Sequence, residues 1–210
     1  MSNDASVEDL ILPKPPRSAC CRGKQVARLV AMSSVRIVEE TDLAIIIQTF
    51  PEKGAVPVNR HLEQFRLQQE GAVTCLMAWD AATPIGYVFV RWPTGGGELS
   101  NQALTLGCPE LGDLFVVEHA QGRGIGRKLV ETAESIVAAR GFAQLGLEVT
   151  TDNPHNAAAR ALYARLGYRD AGFGEFISGY TYWDATGATQ RDEELHRYLV
   201  KRLDVLIQNR

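Results

Sequence analysis

No stretch of this 210-residue chain approaches the roughly 20 consecutive apolar residues that a membrane span needs, so no membrane association is expected. Four cysteines, Cys20, Cys21, Cys75 and Cys108, show neither C-x-x-C pairing nor even spacing, and the adjacent pair is badly placed to bond to itself. This argues against a disulfide scaffold and for a reducing, cytoplasmic setting, with Cys75 in an apolar run as a small core residue. The four histidines, His61, His119, His155 and His196, lack ligand-like spacing, and no metal site is expected. A net charge of -3 gives no general attraction to nucleic acid. Both standard nucleotide fingerprints, G-x-G-x-x-G and the P-loop, are missing, which disfavours a plain α/β nucleotide-binding protein.

What is present suits one globular domain with a sizeable core, since 45% of residues are apolar and 22% charged. The first 31 residues stand apart. They carry Pro13, Pro15 and Pro16 and five basic residues from Lys14 to Arg28, with little hydrophobic periodicity, and read as a flexible extension. An acidic start (Asp4, Glu8, Asp9) and an apolar stretch interrupted by Arg28 speak against a signal peptide. The domain is expected over residues 32–210, and Met32 is a candidate translation start that the intact mass of natively expressed protein would test.

The most informative segment is Leu114-Phe-Val-Val-Glu-His-Ala-Gln-Gly-Arg-Gly-Ile-Gly-Arg127, an apolar strand that breaks into three alternating glycines and opens a helix. Ile125, Leu129, Thr132, Ala133, Ile136 and Val137 recur at near-helical spacing, and Gly141 closes the helix. Its N-terminus therefore lies near Gly122 to Gly126, where free N–H groups and the helix dipole form an anion site that glycines leave open. Arg123, Arg127 and Lys128 are expected to add positive charge beside it. A second segment is Asn156-Ala-Ala-Ala-Arg-Ala-Leu-Tyr163-Ala-Arg-Leu-Gly167-Tyr168. Asn153 or Asn156 is suited to cap a helix there, Ala158, Leu162 and Leu166 give it an apolar face, and Gly167 ends it in a left-handed turn. Asn156 and Tyr163 are two helical turns apart and share one side.

The spacing Gln121-x-x-Gly124-x-Gly126 after the Leu114-Phe115-Val116 strand resembles the pyrophosphate-binding motif of the GNAT superfamily of N-acetyltransferases, and the Asn156–Tyr168 segment resembles a second motif of that superfamily. The rest of the chain is consistent with its order of elements. A strand spans Val35 to Val38. Thr41 or Asp42 caps a helix through Phe50, and a second helix runs from Asn59 to Glu70 with Gly71 as cap. Strands Val73 to Trp79 and Ile85 to Trp92 are joined by Asp80-Ala-Ala-Thr-Pro84, a hairpin-like link. A glycine-rich loop, expected to be mobile, leads to the strand Glu110 to Val117. Gln144 to Thr150 and tail strands near Phe173 to Ser178 and His196 to Leu203 complete an α/β fold, the GNAT acyl-CoA N-acyltransferase fold, with a mixed, mostly antiparallel sheet flanked by helices.

The resemblance implies transfer of an acetyl group from acetyl-CoA to a primary amine of a small molecule or peptide, by direct attack in a ternary complex. It places main-chain groups of Leu114, Phe115 and Val116 on the pantetheine and acetyl carbonyl, and Gln121, Gly122, Arg123, Gly124, Ile125, Gly126 and Arg127 around the pyrophosphate. Asn156 would bind the cofactor arm, and Tyr163, also at the cofactor, would protonate the leaving thiolate. For the base, Glu110 and Glu148 both stand where family members carry one, and each also has an ordinary reading as a polar strand-end residue facing solvent. Glu98, Glu110, Asp113, Glu148 and Glu175 are candidates for an acidic pocket around a cationic acceptor. The aromatic tail segment from Phe173 to Trp183 lines that pocket or pairs with a second copy in a homodimer. The competing reading is a non-catalytic acyl-CoA-binding regulatory module, which missing polar groups near the thioester would favour.

Overall fold

A computed structural model describes residues 33–51, 59–94, 99–153, 156–183 and 188–204. These form β1 (Ser34–Ile37), α1 (Leu43–Thr49), α2 (Arg60–Gln69), β2 (Val73–Asp80), β3 (Thr83–Arg91), α3 (Asn101–Leu106), β4 (Glu110–Val116), α4 (Ile125–Ala139), β5 (Gln144–Thr150), α5 (Ala157–Leu166), β6 (Arg169–Trp183) and β7 (Thr189–Arg202). The N-terminal extension, the Met32 start, Cys20, Cys21, Glu98 and the Gly95–Gly97 loop tip lie outside the described residues.

The seven strands form one sheet in the order β1-β2-β3-β4-β5-β7-β6. Every neighbouring pair is antiparallel except β4 and β5, which run parallel. The mixed, mostly antiparallel sheet is therefore the expected one. Strand periodicity divides the core between two faces. Val73, Cys75, Met77 and Trp79 of β2 join Tyr87 and Phe89 of β3 and Ile46 of α1 on one face. Leu76 and Ala78 turn to the other, where Ile125, Leu129, Ala133 and Val137 of α4 and Tyr163 of α5 cover Val88, Val90, Leu145 and Leu147.

Several local expectations change. The first helix is preceded by a 3₁₀ turn, Glu40–Asp42; Asp42 holds its N-cap position as expected, but the side chain makes no cap bond and turns backward. Its carboxylate accepts from the Glu39 N–H at 2.9 Å and from the Arg36 guanidinium at 2.6 and 2.7 Å, so the arginine holds its pKa below the usual carboxylate value. Asp80 to Pro84 is the hairpin link expected, but tighter: Asp80 pairs with Thr83, only Ala81 and Ala82 turn, and Ala81 takes a left-handed φ of 52°. Pro84 fits in β3 because it lies at a register shift opposite Trp79. The approach to β4 contains α3, capped by the Ser100 hydroxyl on the Ala103 N–H at 3.2 Å and closed by left-handed Gly107. On α5 the buried face is Ala159, Leu162, Tyr163 and Leu166, whereas Ala158 is exposed. Asn156 holds the N-cap position without a side-chain cap bond, and Asn153 instead donates to Glu194 Oε1 at 2.8 Å. The tail strands β6 and β7 are longer than expected and pair from Arg169 to Trp183.

Candidate active site

β4 and β5 are parallel neighbours, yet they register at a single pair, Glu110 with Gly146, and then part. The cause lies on the other side of β4. Tyr87 opposes Phe115 while Phe89 opposes Gly112, so β4 carries one residue more than β3 there, and Asp113 adopts φ 55°. Such a bulge bends its strand and re-aims the residues beyond it. Arg91 fastens it, with Nη2 3.3 Å from Asp113 Oδ2 and Nη1 3.9 Å from Glu110 Oε1. Its guanidinium lies over Gly112, where a Cβ would stand 1.8 Å from Nη1, so a side chain there would displace the guanidinium. The parted strands leave a cleft of about 340 Å³ lined by Glu110, Asp113, Leu114, Glu148, Asn156, Tyr163 and His196, among others.

At the far end of β4 a 3₁₀ turn, Glu118–Ala120, leads into the glycines. Gln121 Nε2 donates to the Val116 carbonyl at 3.0 Å and ties the turn to the strand. Gly122 and Gly124 have φ 71° and 81°, and the space around both is open. Gly124 caps α4, so the N–H groups of Ile125, Gly126 and Arg127 belong to its first turn. The basic side chains are arranged otherwise than expected. Arg123 pairs with Asp80 at 3.2 Å, Arg127 with Glu131 at 2.7 Å, and Lys128 donates to the Ser33 carbonyl. The anion-binding capacity of the turn thus rests on main-chain N–H groups and the helix dipole. Leu114 and Val116 pack with the α4 face of the core, whereas Phe115 turns to the opposite face and stacks on Tyr87, ring centroids 5.4 Å apart.

α5 delivers Asn156 and Tyr163 to the same cleft, as the two-turn spacing required. Tyr163 is 6% exposed, its ring edge-on to Tyr168 at 5.7 Å. Burial pushes its pKa up, so the phenol keeps its proton at working pH. Glu110 is not a solvent-facing strand end: it is 6% exposed, and its Oε2 accepts from the Ser100 hydroxyl and from the Ser100 N–H at 3.3 Å. Burial, and then the charge of Glu148, raise its pKa, opposed by the Ser100 bond and by Arg91. Glu148 is half-buried and accepts from Ser178 Oγ at 2.8 Å.

Two members of the site carry no sequence signal of belonging to it. His196 comes to the cleft because β7 pairs with β5, setting His196 opposite Thr150. Its Nδ1 is 3.4 Å from Glu148 Oε2, a distance without hydrogen-bond geometry, and its Nε2 is 3.4 Å from Thr150 Oγ1. Ser100 comes from the start of α3, for which Ser100 and Gly107 as flanking caps are the readable marks of a helix but not of a site. Of the five acids expected around the acceptor, Glu110, Asp113 and Glu148 line the cleft, Glu175 is instead paired with Arg197 at 3.2 Å, and Glu98 is not described.

A sheet parted beside a glycine turn at a helix start defines a class. Residues 34–168 match the Acetyltransferase (GNAT) family, and the chain belongs to it, among the acetyl-CoA-dependent N-acetyltransferases. No curated protein matches the sequence. Among solved structures the chain is similar to the ribosomal-protein-S18-alanine N-acetyltransferase of Escherichia coli, at 22% identity and TM-score 0.55 over 85% of this chain and 99% of that one. An N-acetyltransferase of Staphylococcus aureus Mu50 aligns at 15% identity and TM-score 0.57 over 82% and 99%. A phosphinothricin acetyltransferase of Sinorhizobium meliloti, solved with acetyl-CoA, aligns at 18% identity and TM-score 0.55 over 81% and 88%. At these identities the likeness is one of fold. Among the described residues no helix is long and apolar enough to cross a membrane.

Proposed function

We propose that the protein moves the acetyl group of acetyl-CoA directly to a primary amine of a small molecule or peptide while both substrates are bound. The observation that carries this reading is that Glu110, Glu148, Asn156 and Tyr163, drawn from two strands and a helix, line one cleft where β4 and β5 part. Acetyl-CoA supplies a thioester-activated acyl group. The chain fits it: the open left-handed glycines present main-chain N–H groups to a diphosphate, and the β4 edge freed from β5 offers main-chain groups to the pantetheine arm.

The amine attacks only when neutral. Its proton passes to a carboxylate, for which Glu110 is the better candidate, because burial and Glu148 raise its pKa toward the amine's. As nitrogen bonds to the acyl carbon and the carbon–sulfur bond breaks, the Tyr163 hydroxyl gives its proton to the departing sulfur. Asn156, on the same wall, would hold the cofactor arm. Relatives with this fold include an S18-alanine N-acetyltransferase, which supports the reaction type, and a phosphinothricin acetyltransferase with acetyl-CoA, which supports the donor as well. Polar groups remain around the thioester position, against a non-catalytic binding module. The buried free thiols of Cys75 and Cys108 suit a reducing cytoplasm.

Calorimetry with acetyl-CoA, followed by an amine panel with detection of free thiol, tests the reading: binding without release from any amine would return it to the binding module. Tyr163→Phe is expected to lower kcat by ~10²-fold with acetyl-CoA affinity retained, and an unchanged kcat would remove Tyr163 from its role.

A further inference from the structure

Arg91 ends β3 and pairs in register with Glu110, the first residue of β4. One guanidinium reaches two carboxylates of that strand, with Nη2 3.3 Å from Asp113 Oδ2 and Nη1 3.9 Å from Glu110 Oε1. Between the two acids lies Gly112, whose lack of a side chain leaves the guanidinium room to lie across the strand. The fork is shielded from water, since the Arg91 side chain is 20% exposed and lines the cleft. A planar group with five N–H donors suits such a span, and a lysine ammonium does not.

Each end of the span touches a different part of the reaction. Asp113 is the bulge residue with a left-handed φ of 55°, a conformation that an aspartate adopts against its ordinary preference. Its carboxylate is held there by Arg91 and, from the start of α2, by Arg60 at 4.0 Å. Beyond the bulge β4 leaves β5, and the edge so freed is where the cofactor arm would lie. Glu110, at the other end, is the candidate base. Glu148 of β5 opposes its charge, the Ser100 hydroxyl supports it, and Cys108 and Tyr198 of β7 are neutral neighbours. Arg91 supplies the positive charge in that set. Tyr163 and His196 stand in the wall of the same cleft.

We infer that Arg91 is a positioning residue for both halves of the reaction, pinning the bulge that opens β4 to acetyl-CoA while it steadies the Glu110 carboxylate. It acts through Asp113 and Glu110 rather than on a substrate. The inference rests on the acetyl-transfer reading above and adds to it a residue that neither glycine turn nor α5 motif marks. Because one rigid group serves both ends, whatever displaces it disturbs cofactor affinity and base together.

Two variants of the full chain displace the guanidinium in different ways. Arg91→Met removes it, and Gly112→Ala keeps it but puts a methyl group where it lies. Calorimetry reads acetyl-CoA affinity, and NMR of isotope-labelled glutamate carboxyls reads the titration of Glu110, its signal identified by its loss in Glu110→Gln. Both variants are expected to bind acetyl-CoA on the order of tenfold more weakly, the effect of one lost charge-assisted hydrogen bond. A nearby guanidinium favours the carboxylate, so both should also let Glu110 keep its proton to higher pH. The double variant should bind acetyl-CoA no more weakly than either alone. Arg91→Lys should return Glu110 toward its original titration while the affinity stays low, because one ammonium cannot span both acids. A lower melting temperature with either affinity or titration unmoved overturns the assignment while acetyl transfer stands. An unaltered protein that binds no acetyl-CoA overturns acetyl transfer itself, and this inference with it.

Discussion

Glu110 is a carboxylate held between opposing influences, and one hydroxyl decides how far it leans. Burial and Glu148 favour its protonated form; the Ser100 bond and Arg91 favour the charged one, with Tyr198 and Cys108 as neutral neighbours beyond. A base works as the carboxylate, so kcat/KM should fall as pH drops through its pKa, and Glu110→Gln should abolish that acidic limb. Should Glu110→Gln leave the limb in place and Glu148→Gln remove it, the base is Glu148. Ser100→Ala withdraws a hydrogen bond to the charged form and should shift the limb to higher pH, while Ser100→Thr restores it. A lost α3 cap alone would lower stability and leave the limb where it was. Neither Ser100 nor His196 is legible in the sequence as part of the site. Each belongs to it only through tertiary pairing: Ser100 because α3 folds back on the start of β4, His196 because β7 returns beside β5. Tyr163 and Asn156 are legible because their geometry is internal to one helix.

The glycine turn and α4 behave as a unit that local sequence specifies almost completely. Left-handed glycines, a strand before and an amphipathic helix after determine where the N–H groups point. Gly124→Ala should strain the N-cap at φ 81°, lowering stability by about 1 kcal/mol in chemical denaturation and weakening acetyl-CoA several-fold by calorimetry. Undiminished affinity would show that the diphosphate does not use this turn. Other elements are less legible for reasons of length and context. α3 has six residues, too few for a helical period to declare itself, and it comes after a run of glycines. The β2–β3 turn uses Ala81 and Ala82, residues without turn chemistry, so Pro84 is the strongest local turn signal and the link reads as longer than it is. In β6, Gly172 and Gly174 have positive φ and lie where the pairing with β7 shifts register, which disguises one long strand as a short one.

Across the whole molecule, Gly146 is the point where the two parts of the sheet meet. A Cβ there would come within 2.1 Å of the Tyr198 hydroxyl and 2.5 Å of its ring. Tyr198 is fully buried, so it cannot swing aside. Gly146→Ala is expected to lose about 3 kcal/mol, read as a melting temperature lower by roughly 6–12 °C, and a shift under about 2 °C would mean the ring has room to move. The parting of β4 from β5 also has a mechanical meaning. β1 to β4 form one antiparallel ribbon and β5, β7 and β6 another, riveted at Glu110 and Gly146. The amides along the unriveted margin of β4 face the gap instead of a strand, so hydrogen exchange there should be fast in the free protein. A thioester arm laid along that margin would act as a missing eighth strand, closing the seam and letting the two ribbons unfold as one.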